Sequence, residues 1–250
     1  MTQSPVLGVL GGMGGLASAA FLTTVYRRNP GTREQEQPVV WLRSNPRIPD
    51  RTGYLLEGRH EELAAAMEVD LRALLAAGAD RLVICCITAH AVWPLLSAAV
   101  RARTLSLLDT LFATPGLGSR RRLVFCTNGS QRLGVLSGHP EFHKYADSLI
   151  FPAPEEQAAV HDILYRLKRG LPPAEVVPAL AAMAHRAGAQ GIVAGCTEVH
   201  LLADAWPEGA LDVIDPLTAI ADQLPTLLTH EGPLVLEHAE RAHPELERSA

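Results

Sequence analysis

Two stretches of this 250-residue chain place the same reactive residue types at the same spacing. The segment from Ala77 to His90 can be laid without a gap on the segment from Ala187 to His200, at an offset of 110 residues. Ala, Gly, Ala, Val, Cys and His coincide, so that Cys86 matches Cys196 and His90 matches His200. A helix–glycine–strand unit explains the apolar part of the match, but it requires neither the cysteine nor the histidine. Both copies put a cysteine at the C-terminal end of a strand, where open α/β sheets carry their ligands. One thiol on each side of a cleft suits a particular chemistry. A thiolate removes a proton from carbon on one face, and a thiol returns a proton to the other, inverting a stereocentre without a cofactor. A free thiol titrates near 8.5, close enough to neutrality for either role. The carbanion formed needs fixed donors aimed at its charge. Thr88 and Thr197 lie just beyond the two cysteines, and Ser130 and the Gly11–Gly15 loop lie at other strand ends.

The other two cysteines, Cys85 and Cys126, read as small buried hydrophobes. Four cysteines with no C-x-x-C spacing are too sparse for a disulfide framework. The Cys86/His90 and Cys196/His200 pairs could in principle hold zinc, but two facing thiols need no metal, and the expectation is that none is bound.

The elements that would position these residues alternate strand and helix. Strands are expected at Val6–Leu10, Pro38–Leu42, Leu82–Cys85, Leu123–Cys126, Ser148–Phe151, Gly191–Ala194 and Leu211–Ile214. Helices are expected at Leu16–Arg28, Glu61–Ala77 (with Gly78 as its C-cap), Ala91–Arg103, Glu155–Arg169 and Ala174–Arg186. This predicts an α/β fold of two pseudo-symmetric lobes, each a mostly parallel sheet flanked by helices, with the site in the cleft between them. The division expected is 1–112 for the first lobe, completed by a helix from 216–230, 113–215 for the second, and a charged tail at 231–250.

Composition narrows the function classes. Hydrophobic residues make up 48% and charged residues 20%, which excludes a disordered chain. A net charge of −5 without a basic stripe argues against nucleic-acid binding, and Arg120-Arg121-Arg122 reads as a strand edge or turn. No apolar run is long enough to span a membrane, and no signal peptide is visible, so a cytoplasmic location is expected. Twenty arginines stand against two lysines, Lys144 and Lys168. Gly12-Met13-Gly14-Gly15-Leu16-Ala17 also fits a dinucleotide-binding G-x-G-x-x-A turn, with Arg43 suited to NADP. That reading leaves the cysteine repeat unexplained.

The sequence resembles the aspartate/glutamate racemase family, cofactor-independent two-cysteine enzymes, and within it the aspartate racemase branch. The resemblance spans about residues 5–230. Gly11-Gly12-Met13-Gly14 is similar to the family's G-G-M-G loop, and Arg33-Glu34-Gln35-Glu36 to its R-D-Q-E. Asn45-Pro46-Arg47-Ile48-Pro49-Asp50-Arg51-Thr52 is similar to N-P-x-I-P-D-R-T. Cys86-Ile87-Thr88-Ala89-His90 resembles C-N-T-A-H, Gly195-Cys196-Thr197-Glu198 resembles G-C-T-E, and Asp215-Pro216 its late D-P. The resemblance implies catalytic roles for Cys86 and Cys196. It implies carboxylate binding by Arg51 and Lys168, and a Thr127-Asn128-Gly129-Ser130 turn whose backbone N–H groups hold a carboxylate. Met13, Thr88, Thr127, Gly129, Ser130, Thr197 and Glu198 complete the implied substrate-binding set. It further implies a homodimer that uses no cofactor and takes a small acidic amino acid or carboxylate. Two departures stand out. Ile87 replaces the family's Asn and Gly15 its Pro, and Ile87 admits a related isomerase or decarboxylase of another carboxylic acid, or a non-catalytic small-acid binder.

Overall fold

The computed structural model describes residues 4–206 and 211–229. Among these, eight strands form two four-stranded, wholly parallel sheets. The first sheet contains β1 (Val6–Gly11), β2 (Val39–Ser44), β3 (Arg81–Ile84) and β4 (Thr104–Leu105), in the order β2-β1-β3-β4. The second contains β5 (Arg122–Phe125), β6 (Leu149–Ile150), β7 (Gly191–Ala194) and β8 (Asp212–Ile214), in the order β6-β5-β7-β8. The two orders are the same, as the internal repeat requires. Every residue of β1, β3, β5 and β7 is buried. That burial on both faces is why these strands read as unbroken apolar runs instead of alternating ones.

Helices cover the sheets: α1 (Gly15–Arg28), α2 (Arg51–Leu56), α3 (His60–Ala77), α4 (Ala98–Arg101), α5 (Leu107–Ala113), α6 (Asn128–Arg132), α7 (Pro154–Lys168), α8 (Val177–Arg186) and α9 (Pro216–Thr229). Leu63, Met67, Leu71 and Leu74 form the buried stripe of α3, and Gly78 closes it in the left-handed conformation with its N–H on the carbonyls of Leu74 and Leu75. α9 packs on α1 and α5. The apolar interior has three parts. An outer layer belongs to each sheet, around Leu63, Met67 and Leu82 in the first and Val160, Leu164 and Ile192 in the second. A central core joins both, with Leu7, Phe21, Val83, Val124, Val193, Leu217 and Ile220.

The expected helix at Ala91–Arg103 is a correction. A 3-10 segment, Thr88–Leu95, follows Cys86 directly, contains Pro94, and gives way to the short α4. Pro94 lacks the N–H that an α-helical ladder would need. Arg122 takes the strand-edge alternative of its expected pair. It opens β5 at 2% exposure, pairs with Asp212, and donates from Nη1 to the Leu117 carbonyl at 2.7 Å. A guanidinium can be buried there because its charge and most of its donors are met. The expected tail, 231–250, lies outside the described residues. No described helix is long and apolar enough to cross a membrane.

Candidate active site

The C-terminal ends of β1, β3, β5 and β7 converge, and each delivers a loop. From β1 comes the Gly12–Gly14 loop leading into α1, from β3 Cys86 and Thr88, from β5 the Thr127–Ser130 turn, and from β7 Cys196, Thr197 and Glu198. Three close approaches lock the loops of one sheet to those of the other. The Thr88 and Ser130 hydroxyls are 2.6 Å apart, with Ser130 held inside its own turn by Thr127 Oγ1, which donates to Ser130 Oγ at 3.2 Å. Gly129 lies so close to Thr52 that a Cβ there would sit 2.3 Å from Oγ1. A Cβ on Gly14 would sit 1.9 Å from Glu198 Oε1, so only glycine leaves room for that carboxylate at the N-terminal end of α1.

Cys86 and Cys196 are 6% and 5% exposed, and all four cysteines are free thiols. Cys196 Sγ donates to Glu198 Oε2 at 2.8 Å. Burial first, and the negative charge of Glu198 second, push the Cys196 thiol well above its usual range, while Lys168 pulls the other way. Cys196 therefore rests protonated. Lys168 closes α7 with its Nζ 4.6 Å from the centre of the Tyr165 ring. Burial disfavours its charge, yet Cys196, Glu198, Cys86 and Tyr165 together outweigh this and raise its pKa. One ammonium thus feels both thiols. Cys85 and Cys126 point into the central core, where burial pushes the Cys126 thiol up to about 12 and Cys85 further still.

Arg51 forms no ion pair with Asp50 or Glu57: Asp50 caps α2 by accepting from Gly53 N–H at 2.7 Å, and Glu57 meets Arg59. The Arg51 guanidinium binds backbone instead, donating to Pro49 O at 2.9 Å, Ile48 O at 3.3 Å and Met13 O at 3.0 Å. Its buried Nε–H has no partner in the protein. Met13 contributes this carbonyl, while its side chain is buried in the first outer core layer. In the Thr127–Ser130 turn, Ser130 N–H donates to Thr127 Oγ1 and Asn128 N–H to His161 Nδ1, so these two amides are already engaged. Thr197 is buried at the start of a 3-10 segment. Ile87 is 1% exposed and belongs to the central core.

The two repeated histidines are structural. His90 accepts the Leu107 N–H at Nε2 (3.0 Å), which leaves Nδ1–H to donate to the Cys86 carbonyl (2.9 Å). Burial lowers its pKa to about 4, so it stays neutral. His200 bonds Asp215 through Nδ1 and Thr24 Oγ1 through Nε2 at 2.8 Å. Burial opposes its charge, but Asp215 prevails and raises its pKa. Each histidine thus fastens its cysteine-bearing loop to the element beyond, α5 in one half and the start of α9 in the other. Both ring nitrogens of each are occupied, so neither is presented to a metal. Sequence reasoning named Lys168 but missed the polar residues that precede it on α7: Gln157 Nε2 donates to Cys126 O at 2.8 Å, His161 supports the 127–130 turn, and Tyr165 lies between His161 and Lys168. Their helical spacing was the available signal.

Two like-ordered parallel sheets, each with a buried cysteine two residues beyond the end of β3 or β7, define a class of two-lobe α/β racemase folds. The sequence matches the Asp/Glu/Hydantoin racemase family over residues 10–224, and the chain belongs to that family. Its fold is similar to that of Picrophilus torridus aspartate racemase, with a TM-score of 0.76 at 20% identity over 92% of this chain and 96% of that one. It is similar also to Thermus thermophilus glutamate racemase (TM-score 0.54, 17% identity, 92% and 84% covered). A third neighbour is Klebsiella pneumoniae allantoin racemase (TM-score 0.55, 17% identity, 90% and 88% covered). Glu198 at the N-terminal end of α1 also weighs against a dinucleotide there, because a carboxylate occupies the ground a pyrophosphate would need.

Proposed function

We propose that this protein is a cofactor-independent racemase of a small acidic amino acid, aspartate first, and that Cys86 and Cys196 are its two acid/base residues. The observation that carries this reading is the placing of two buried free thiols at matching points, each two residues beyond the end of β3 or β7. Since Cys196 rests as a thiol, it is the proton donor in the resting state. Cys86 as thiolate then takes the Cα proton, the electron pair passes into the α-carboxylate, and Cys196 S–H delivers its proton to the opposite face. For the other enantiomer the roles exchange. Lys168 and the Nε–H of Arg51 hold the carboxylates and draw off the developing enolate charge. Ile87 belongs to the central core, so its apolar side chain supplies no reason to move to another carboxylic acid.

The test is polarimetric racemisation of L- and D-aspartate, L- and D-glutamate and allantoin, without added metal or cofactor. Turnover of aspartate above the others supports the reading. Turnover of allantoin alone, or of none of them, overturns the assignment to an acidic amino acid. A homodimer is part of the same proposal, and light scattering on the purified protein tests it.

A further inference from the structure

Among the described residues, Glu198 is the one buried carboxylate hydrogen-bonded to a proposed catalytic group, and only half of it is accounted for. The residue is 1% exposed. Oε2 accepts from Cys196 Sγ, whereas Oε1 is buried without a hydrogen-bond partner in the protein. A buried carboxylate oxygen is costly to desolvate and is normally matched by a donor. Gly14 makes the space for Oε1, since any side chain at that position would collide with it. At the same loop, where Arg51 bonds the Met13 carbonyl, Arg51 Nε–H is the complementary case, a buried donor without a protein partner. Apart from the reacting thiols, the charged side chains proposed for the site are two cations, Arg51 and Lys168, and one anion, Glu198. A ligand that matches them carries two carboxylates and one ammonium.

We infer that Glu198 Oε1 receives the α-ammonium group of the substrate, and so selects amino-substituted dicarboxylates over plain or hydroxylated ones. This rests on the racemase reading above and names the feature of its substrate that the carboxylate-binding groups cannot sense. It also joins recognition to chemistry. The same carboxylate that meets the ammonium through Oε1 holds the Cys196 proton through Oε2, so an ammonium on Oε1 offsets the charge opposing a Cys196 thiolate. The donor then becomes a usable base for the second enantiomer.

Titration calorimetry with L-aspartate and with succinate, which differ by the ammonium group alone, tests the inference in the wild type, Glu198→Gln and Gly14→Ala. The wild type is expected to prefer aspartate by roughly 10- to 100-fold, the range of a charge-assisted hydrogen bond. Glu198→Gln should collapse that ratio toward one while succinate binds as well as before or better. Gly14→Ala, which forces Oε1 from its place, should move the ratio the same way. A wild type without preference for aspartate overturns the assignment, as does a ratio kept in Glu198→Gln or a loss of both ligands together. Deuterium exchange at Cα of aspartate, run alongside, reports on the racemase reading separately. Exchange with an unchanged ratio rejects only the Glu198 role, and a collapsed ratio without exchange rejects only the racemase.

Discussion

Of four chemically alike thiols, two lie in the central core and two, those proposed to act, follow the ends of β3 and β7. Cys85 and Cys126 share the central core with Val83 and Val124, and burial holds their protons on. Cys196 is nearly as buried but has a carboxylate on one side and an ammonium within electrostatic reach. The repeat at an offset of 110 residues marks Cys86 and Cys196 as the proposed acid/base pair, because a paired Cys is not something packing demands. Glu198 could be named from its motif, but its contacts could not. They depend on Gly14, 184 positions away and in the other sheet's loop. At this scale the account predicts that Glu198→Gln raises the alkylation rate of Cys196 by iodoacetamide several-fold at mildly alkaline pH, since the charge that opposes the thiolate is gone. Peptide mapping by mass spectrometry checks it, and an unchanged or slower rate contradicts it. Cys85 and Cys126 should label only after denaturation.

Elements with strong local signals were legible: the apolar stripe and glycine cap of α3, and the buried runs of β1, β5 and β7. What local pattern did not show is how the chain turns after each cysteine. Both turns are 3-10 segments, Thr88–Leu95 and Thr197–Leu202, and each contains a histidine tied to a residue well beyond the segment, Leu107 or Asp215. The paired His90 and His200 looked equally suited to chemistry and to structure, and only their hydrogen bonds decide for structure. Lys168 was named from the sequence, but the rest of the polar row of α7 was hidden because Gln157, His161 and Tyr165 share a helix with exposed charges such as Glu155 and Arg166. Gly129→Ala tests the seam between the two sheets. Its Cβ would press on Thr52, and overpacking of this kind costs about 1–3 kcal/mol. Urea denaturation should show that loss, together with weaker aspartate binding. A variant as stable and as tight-binding as the wild type would mean that the seam is loose.

At the scale of the whole molecule, two sheets of the same strand order share a central core, so the halves are matched in topology and joined in packing. Their matched histidines carry opposite electrostatics, and this sets the pH response of folding. His90 falls from its usual 6.5 to about 4 in the folded state. Its contribution is present above pH 6.5 and is lost as the pH falls toward 4, up to about 3 kcal/mol. The His200–Asp215 pair runs the other way, stabilising below the usual histidine value and fading as the pH rises through the raised one. His90→Gln should therefore flatten the acid limb of stability between pH 6.5 and 4, measured by chemical denaturation across that range. An acid limb identical to the wild type's contradicts the neutral, buried state of His90.

The central claim is that two thiols on opposite faces of one carbon exchange its proton. Proton NMR in D₂O, following the Cα signal of L- and D-aspartate with the wild type, Cys86→Ser and Cys196→Ser, tests it most directly. The account predicts exchange of both enantiomers by the wild type and a loss of racemisation of at least about 100-fold in each serine variant. Full racemisation by either serine variant would contradict it.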